Sequence, residues 1–234
     1  MPHYPLFLSL TNRMVLIIGA GCVGKRKLKT LLAHKPGKIV VVDPLLADTV
    51  AAQEIVQIAS DLACKESEPD TLRIIAAPFA PEHIEGAFLV FAATDNAAVN
   101  SEIVSICREK SILCNRADSE EESDFIVPAT IRRGPLAVAL GTGGASPALA
   151  KKIRQELEIT LSSGYAKLAE LMGRLRPMIL GLGLPSDTNA AIFRSLVYSP
   201  LAELLENEDQ AGAMELLTTL LPEKLHSSVR EVLE

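Results

Sequence analysis

The first half of the chain alternates between two hydrophobic rhythms. Short apolar runs, rich in β-branched residues, occur at residues 14–18, 38–42, 72–76, 88–92 and 112–114. Runs of this kind mark strands covered on both faces. Between them, residues 23–33, 45–64 and 96–110 carry apolar positions at helical spacing. Residues 65–71, with Pro69, read as a loop. Residues 78–86, with Pro78, Pro81 and Gly86, hold at most a short helix. Strand and helix in strict alternation predict a parallel sheet with helices on both faces.

The rhythm changes after Cys114. Residues 115–124 are polar and acidic, and two β-like runs follow at 125–131 and 136–140. Arg132-Arg133-Gly134-Pro135 between them reads as a hairpin turn. Two strands alone are marginal, so the hairpin is expected to extend a sheet or to pair with another subunit. Gly141 to Pro147 comes next, with Ser146 placed as an N-cap and Pro147 as the first helical residue of a helix over 147–161. That helix start reads either as an anion site or as a capped joint between domains. From residue 162 the pattern is helical, with breaks expected at Gly173, Pro177, 181–185 and Pro200. Its Leu, Ala and Met spacing is that of a core or an interface.

The glycines bring in the chemistry. The run at 14–18 leads directly into Gly19, Gly21 and Gly24, and a helical segment follows. Strand, G-x-G-x-x-G and helix form the context in which this motif binds a dinucleotide. Gly19 supplies the tight turn, Gly21 lets the backbone approach a pyrophosphate, and Gly24 permits close helix–strand packing. N–H groups at the helix start face the phosphates. The second strand ends in Asp43, nineteen residues beyond Gly24. A carboxylate there binds the ribose hydroxyls of NAD and repels the extra phosphate of NADP. The competing reading is a glycine-rich turn that binds nothing.

Two further stretches sit at strand ends. Ala92-Ala93-Thr94-Asp95-Asn96 follows the fourth strand, where open α/β sheets bind ligands; Thr94 is a cofactor-cleft candidate, and the same stretch also reads as a helix cap. Asn115-Arg116-Ala117-Asp118 lies beyond the fifth strand, near the mouth of a nicotinamide site. Asp118 is the best candidate for proton transfer or substrate orientation, with partial desolvation expected to raise its pKa. The alternative is an exposed acidic turn, since Glu120, Glu121, Glu122 and Asp124 follow.

Composition narrows the class. The formal net charge of −6 over 234 residues argues against general nucleic-acid binding. No apolar run is long enough for a membrane span, and the first residues do not read as a signal peptide. The four cysteines and four histidines are scattered without metal-type spacing, so no metal site is expected and a cytoplasmic chain with free thiols is the simplest reading. Basic residues cluster at Lys25-Arg26-Lys27, at Arg132-Arg133, and at Lys151-Lys152 with Arg154. They would attract a polyanionic substrate or simply be solvated.

Residues 5–10, the glycine motif with Lys25-Arg26-Lys27, Ala92 to Asp95, Cys114 to Asp118, Asp124 to Pro128, and Gly143 to Pro147 leading into Leu149, Ala150 and Arg154 occur in one order and spacing. In that arrangement the chain resembles the precorrin-2 dehydrogenase family. This family includes bifunctional precorrin-2 dehydrogenase/sirohydrochlorin ferrochelatases and the N-terminal module of siroheme synthase. The resemblance implies an α/β fold: a Rossmann-type parallel sheet over 1–114, a small β-hairpin dimerisation region over 115–146, and a helical C-terminal domain over 147–234. It implies NAD-dependent oxidation of precorrin-2, a tetrapyrrole, to sirohydrochlorin in siroheme biosynthesis. Asp118 matches the family's catalytic aspartate, which bifunctional members also use in inserting Fe²⁺. Cys22, Val23, Asp43 and Pro44 fall where the family contacts NAD. Asn115, Arg116 and Ser146 are the expected substrate-binding residues, and a homodimer is expected. Thr142 replaces a serine that can be phosphorylated in some members, and the tail from residue 162 matches only loosely. Within these residues no methyltransferase module is expected. Two alternatives stand beside the dehydrogenase: a bifunctional enzyme with ferrochelatase activity, and a non-catalytic NAD(H)-sensing module.

Overall fold

The computed structural model describes residues 3–62 and 71–233, in two compact units, Met1–Val127 and Pro128–Glu234. Cys64 and most of the loop expected at 65–71 lie outside the described residues. The first unit runs β1 (Met14–Ile18), α1 (Cys22–Leu32), β2 (Lys38–Val42), α2 (Thr49–Leu62), β3 (Leu72–Ile75), β4 (Ala87–Ala92), α3 (Ala97–Glu109) and β5 (Leu113–Arg116). Single 3₁₀ turns at Pro44–Ala47 and Pro81–Ile84 complete it. The five strands form a parallel sheet in the order β3-β2-β1-β4-β5.

Strand side chains alternate between faces, and β1 shows why its run is apolar throughout. Val15 and Ile17, with Ile39, Val41, Leu89 and Phe91, pack against Leu28 and Leu31 of α1 and Ile55 of α2. Leu16 and Ile18, with Val40, Val42, Val90 and Ala92, pack against Ile103, Val104 and Cys107 of α3. Both faces are covered, as expected of a parallel sheet.

β5 departs from the expected 112–114 and continues through Asn115 and Arg116. Both are polar yet buried, because each is satisfied inside the protein. The Asn115 Nδ2 donates to the Phe125 carbonyl at 2.9 Å, and the Arg116 guanidinium is enclosed by acceptors described below. Hydropathy cannot register a strand end held by its own hydrogen bonds.

The second unit begins with β6 (Ala129–Arg133) and β7 (Leu136–Leu140), an antiparallel pair in which Arg133 faces Leu136. The turn is therefore Gly134-Pro135 alone. Gly134 has φ +54°, the positive value that a two-residue hairpin turn needs at its first central position. The run expected at 125–131 becomes strand only from Ala129. Pro128 has no N–H to give a ladder, and Phe125 packs edge-on against Phe91 at 5.5 Å instead.

Six helices follow: α4 (Pro147–Thr160), α5 (Ser163–Gly181), α6 (Ser186–Tyr198), α7 (Leu201–Glu206), α8 (Gln210–Leu220) and α9 (Val229–Leu233). The breaks at 181–185 and Pro200 fall between helices. Those expected at Gly173 and Pro177 do not occur, because α5 runs through both. Pro177 lacks the N–H that would bond the Gly173 carbonyl, a cost of about 3 kcal/mol. On the other side of the balance, Leu168, Leu171, Leu175 and Ile179 are buried against α6 to α9, at about 1.5–3 kcal/mol each. Packing wins. Among the described residues no helix is long and apolar enough to cross a membrane.

Candidate functional site

The strand order reverses between β1 and β4, the position where open α/β sheets bind ligands. Gly19, at the end of β1, has φ +103°, and a Cβ there would lie 2.3 Å from the Ala93 carbonyl oxygen and 2.8 Å from the Thr94 nitrogen. A Cβ on Gly24 would lie 1.9 Å from the Gly19 carbonyl oxygen. These two glycines let the turn, the helix and the end of β4 close on one another. Gly21 is different: a Cβ there meets nothing within 4 Å. It precedes α1 without a side-chain cap, so the first N–H groups of α1 have no side-chain acceptor. Open space over an uncapped helix start fits the pyrophosphate of a dinucleotide. Cys22 is exposed there and Val23 is half-buried.

Asp43 directly follows β2, beside this turn. Its Oδ2 accepts the Ala20 N–H at 2.6 Å, and its Oδ1 accepts the Leu45 N–H at 2.8 Å. The carboxylate is thereby aimed, and each oxygen keeps acceptor capacity. Pro44 is exposed next to it. The neighbouring basic cluster is largely engaged. Lys25 pairs with Glu54. The Lys27 amine sits 5.2 Å from the centre of the Phe91 ring, and burial, with the Arg26 charge beside it, lowers its pKa.

Asp118 follows the end of β5 and is the focus of a second network. Its Oδ1 accepts from Arg116 Nε at 2.9 Å and from Asn100 Nδ2 at 3.0 Å, while its Oδ2 accepts from Arg116 Nη2 at 3.0 Å. The Arg116 hydrogen bonds come first among the causes that hold the Asp118 pKa below the ordinary aspartate value, and Asn100 adds to them. The raised pKa expected from desolvation is thus corrected: desolvation acts, but the bidentate guanidinium outweighs it. Asp118 is an ionised carboxylate with 39% of its side chain exposed.

Arg116 has little left to offer a ligand. Its Nη1 donates to Ser101 Oγ at 2.7 Å and pairs with Glu122, and its Nη2 also donates to the Ala97 carbonyl. Asp118 and Glu122 raise its pKa further. Glu122 and Asp124, in the acidic run after Asp118, are used internally: Glu122 holds Arg116, and Asp124 Oδ2 accepts the Cys114 N–H at 2.9 Å.

Thr94, Asn100, Arg116 and Asp118 therefore form one cluster, joined to Gly19 through the Ala93–Thr94 backbone. Asn115 points to Phe125 instead. Ser146 belongs to the second unit, where its Oγ accepts the Leu149 N–H at 3.1 Å as the cap of α4; Thr142 bonds its backbone on both sides. In the same unit Arg133 donates to the Glu158 carbonyl, Arg154 pairs with Glu158 and Lys152 with Glu156. Asn100 is the residue that sequence reading passed over. Its signal was a carboxamide on the stripe otherwise made by Ile103, Val104 and Cys107. Among the described residues no group of three or more His, Cys, Asp or Glu side chains is placed to hold a metal ion.

A family model described as putative NAD(P)-binding matches residues 6–129, and one described as the central part of sirohaem biosynthesis proteins matches residues 133–158. Siroheme synthase 2 of Yersinia enterocolitica is 33% identical over 211 residues, which are 90% of this chain and 42% of that protein. Siroheme synthase 1 of Aeromonas salmonicida is 32% identical over 225 residues, 96% of this chain and 45% of that protein. The chain thus spans less than half the length of these relatives. The solved structure of SirC, precorrin-2 dehydrogenase, shares the fold with a TM-score of 0.69 at 23% identity, over 93% of this chain and 98% of that one. The chain belongs to the putative NAD(P)-binding family, and a segment matching the central part of sirohaem biosynthesis proteins follows that match.

Proposed function

We propose that the protein is an NAD-dependent dehydrogenase that oxidises precorrin-2 to sirohydrochlorin. The observation that carries this reading is the ionised Asp118 carboxylate, fixed at the strand ends beside the glycine turn. The names of the relatives and of the structural neighbour supply the substrate. Gly19, Gly21, Cys22, Val23 and Gly24 hold the pyrophosphate region, Asp43 and Pro44 the adenosine ribose, and Thr94 lines the cleft. With both Asp43 oxygens already aimed, the site favours ribose hydroxyls over a 2′-phosphate, and hence NAD over NADP.

The dinucleotide, when bound, supplies the hydride acceptor. Loss of a hydride leaves positive charge on the macrocycle, and the Asp118 carboxylate stabilises that charge. The proton then goes to Asp118 Oδ2, which accepts from one side-chain donor, whereas Oδ1 accepts from two. Arg116, spent on Asp118, Ser101 and Glu122, orients this carboxylate rather than a substrate carboxylate. An ionised Asp118 would also take pyrrole N–H protons as Fe²⁺ enters sirohydrochlorin; iron insertion without NAD⁺ tests this second activity, and a rate equal to the enzyme-free control removes it.

The hairpin supports a homodimer. Thr130, Arg132, Ala137 and Ala139 form an exposed face, and β6 and β7 pair with no third strand among the described residues. A partner's strands would complete this sheet. The dehydrogenase reading is tested anaerobically, by absorbance: conversion of precorrin-2 should require NAD⁺ and be much slower with NADP⁺. Conversion at equal rates without either nucleotide would overturn it.

A further inference from the structure

Asn100 is completely buried in α3, and all four hydrogen-bonding positions of its carboxamide are used. Its Oδ1 accepts the Thr94 N–H at 3.2 Å and the Thr94 hydroxyl at 2.7 Å. Its Nδ2 donates to the Thr94 carbonyl at 3.1 Å and to Asp118 Oδ1 at 3.0 Å. The orientation of the amide is set by its partners, because a backbone N–H only donates and a carbonyl only accepts. Burying a carboxamide is unfavourable unless every bond is made, and an apolar residue would pack at this position of the stripe without that demand.

A cap for α3 does not explain the residue. Asn96 Oδ1 already accepts the Ala98 and Val99 N–H groups, and Thr94 Oγ1 accepts the Asn96 N–H. The bond particular to Asn100 is the one to Asp118. Through Thr94 the same side chain grips the backbone against which Gly19 is packed. Arg116 binds both Asp118 oxygens and sets the plane of the carboxylate. Asn100 adds its bond to Oδ1 alone, which leaves Oδ2 as the oxygen with one side-chain donor fewer.

We propose that Asn100 is a positioning residue that ties the nucleotide-side turn at Ala93–Thr94 to the Asp118 carboxylate and selects Oδ2 as its reacting oxygen. The inference rests on the dehydrogenase reading, in which Asp118 acts on the substrate. Asn100 itself touches neither cofactor nor substrate. Its removal should therefore lower kcat with little change in substrate KM.

Asn100→Asp keeps the shape but turns a donor toward Asp118 Oδ1 into an acceptor, alongside Arg116 and, through it, Glu122. The expected result is kcat at least tenfold lower at neutral pH, substrate KM within threefold of wild type, and an acid limb of the kcat profile moved up by about one pH unit or more. Asn100→Ala should lose kcat with a smaller movement of that limb. If both variants fold and keep the wild-type kcat and acid limb, the inference is overturned. Should neither fold, the wild-type protein decides: the Asn100 side-chain amide resonances should shift on saturation with NAD⁺, and amide resonances indifferent to NAD⁺ would overturn the coupling. Failure of the wild type to oxidise precorrin-2 would instead defeat the dehydrogenase reading, which separates the two outcomes.

Discussion

At the scale of single residues, the three glycines of the motif separate into steric and open positions. Gly24→Ala places a methyl against the Gly19 carbonyl oxygen at contact distance far below van der Waals. It should destabilise the first unit by about 3 kcal/mol or more, the upper range for overpacking, seen as a lower midpoint in urea. Gly21→Ala meets open space and should leave that midpoint nearly unchanged while weakening NAD⁺ binding at least tenfold by calorimetry. Equal loss of stability in both variants would contradict the assignment. Asp118 carries the pH prediction. Its pKa is depressed in the folded protein, so its stabilising contacts are complete above the ordinary aspartate value of about 3.9 and are lost only as pH falls through the lower folded value. A carboxyl NMR titration should find Asp118 ionised throughout pH 5 to 8, and a midpoint inside that window would refute it. Asp118 was legible as a residue because it follows an apolar strand. The direction of its shift was not, since that depends on where the Arg116 guanidinium folds. Asn100 was hidden because its bond to Asp118 links α3 to the end of β5 across a sequence gap of 18 residues.

At the scale of elements, strands buried on both faces were read almost directly, since β1, β2 and β4 are apolar at nearly every position. The ends of elements were less legible where side-chain bonds replace hydropathy, as at Asn115 and Arg116. Pro177 misled for the opposite reason: local propensity marks a break, whereas the buried stripe from Leu168 to Ile179 belongs to tertiary packing. Ser146 was legible as a cap and acts as one for α4. Ser146→Ala should cost about 1 kcal/mol, measured as a lower thermal midpoint of the second unit, and no change would argue that the Leu149 N–H finds another acceptor. The hairpin was legible from Arg132-Arg133-Gly134-Pro135, though its two arginines belong to the first strand, which itself starts later than the apolar run suggests.

At the scale of the whole molecule, the two units divide the work by their composition. The first holds the glycine turn, Asp43 and the Asp118 cluster. The second holds a helical core of leucines and a hairpin with an exposed face. If that face pairs with a second copy, sedimentation should give a dimeric mass at micromolar concentration, and Ala139→Glu should shift the population toward monomer. A monomeric wild type would remove the dimer from the account. The central claim is that Asp118 performs chemistry on the substrate beside a nucleotide held by other residues. The most direct measurement compares wild type with Asp118→Asn, recording anaerobic NAD⁺-dependent oxidation of precorrin-2 and NAD⁺ affinity on the same preparations. Turnover should fall by about 10²–10⁴-fold, the range for loss of a positioned proton-transfer group, with NAD⁺ affinity within threefold of wild type. Wild-type turnover in Asp118→Asn would contradict the central claim.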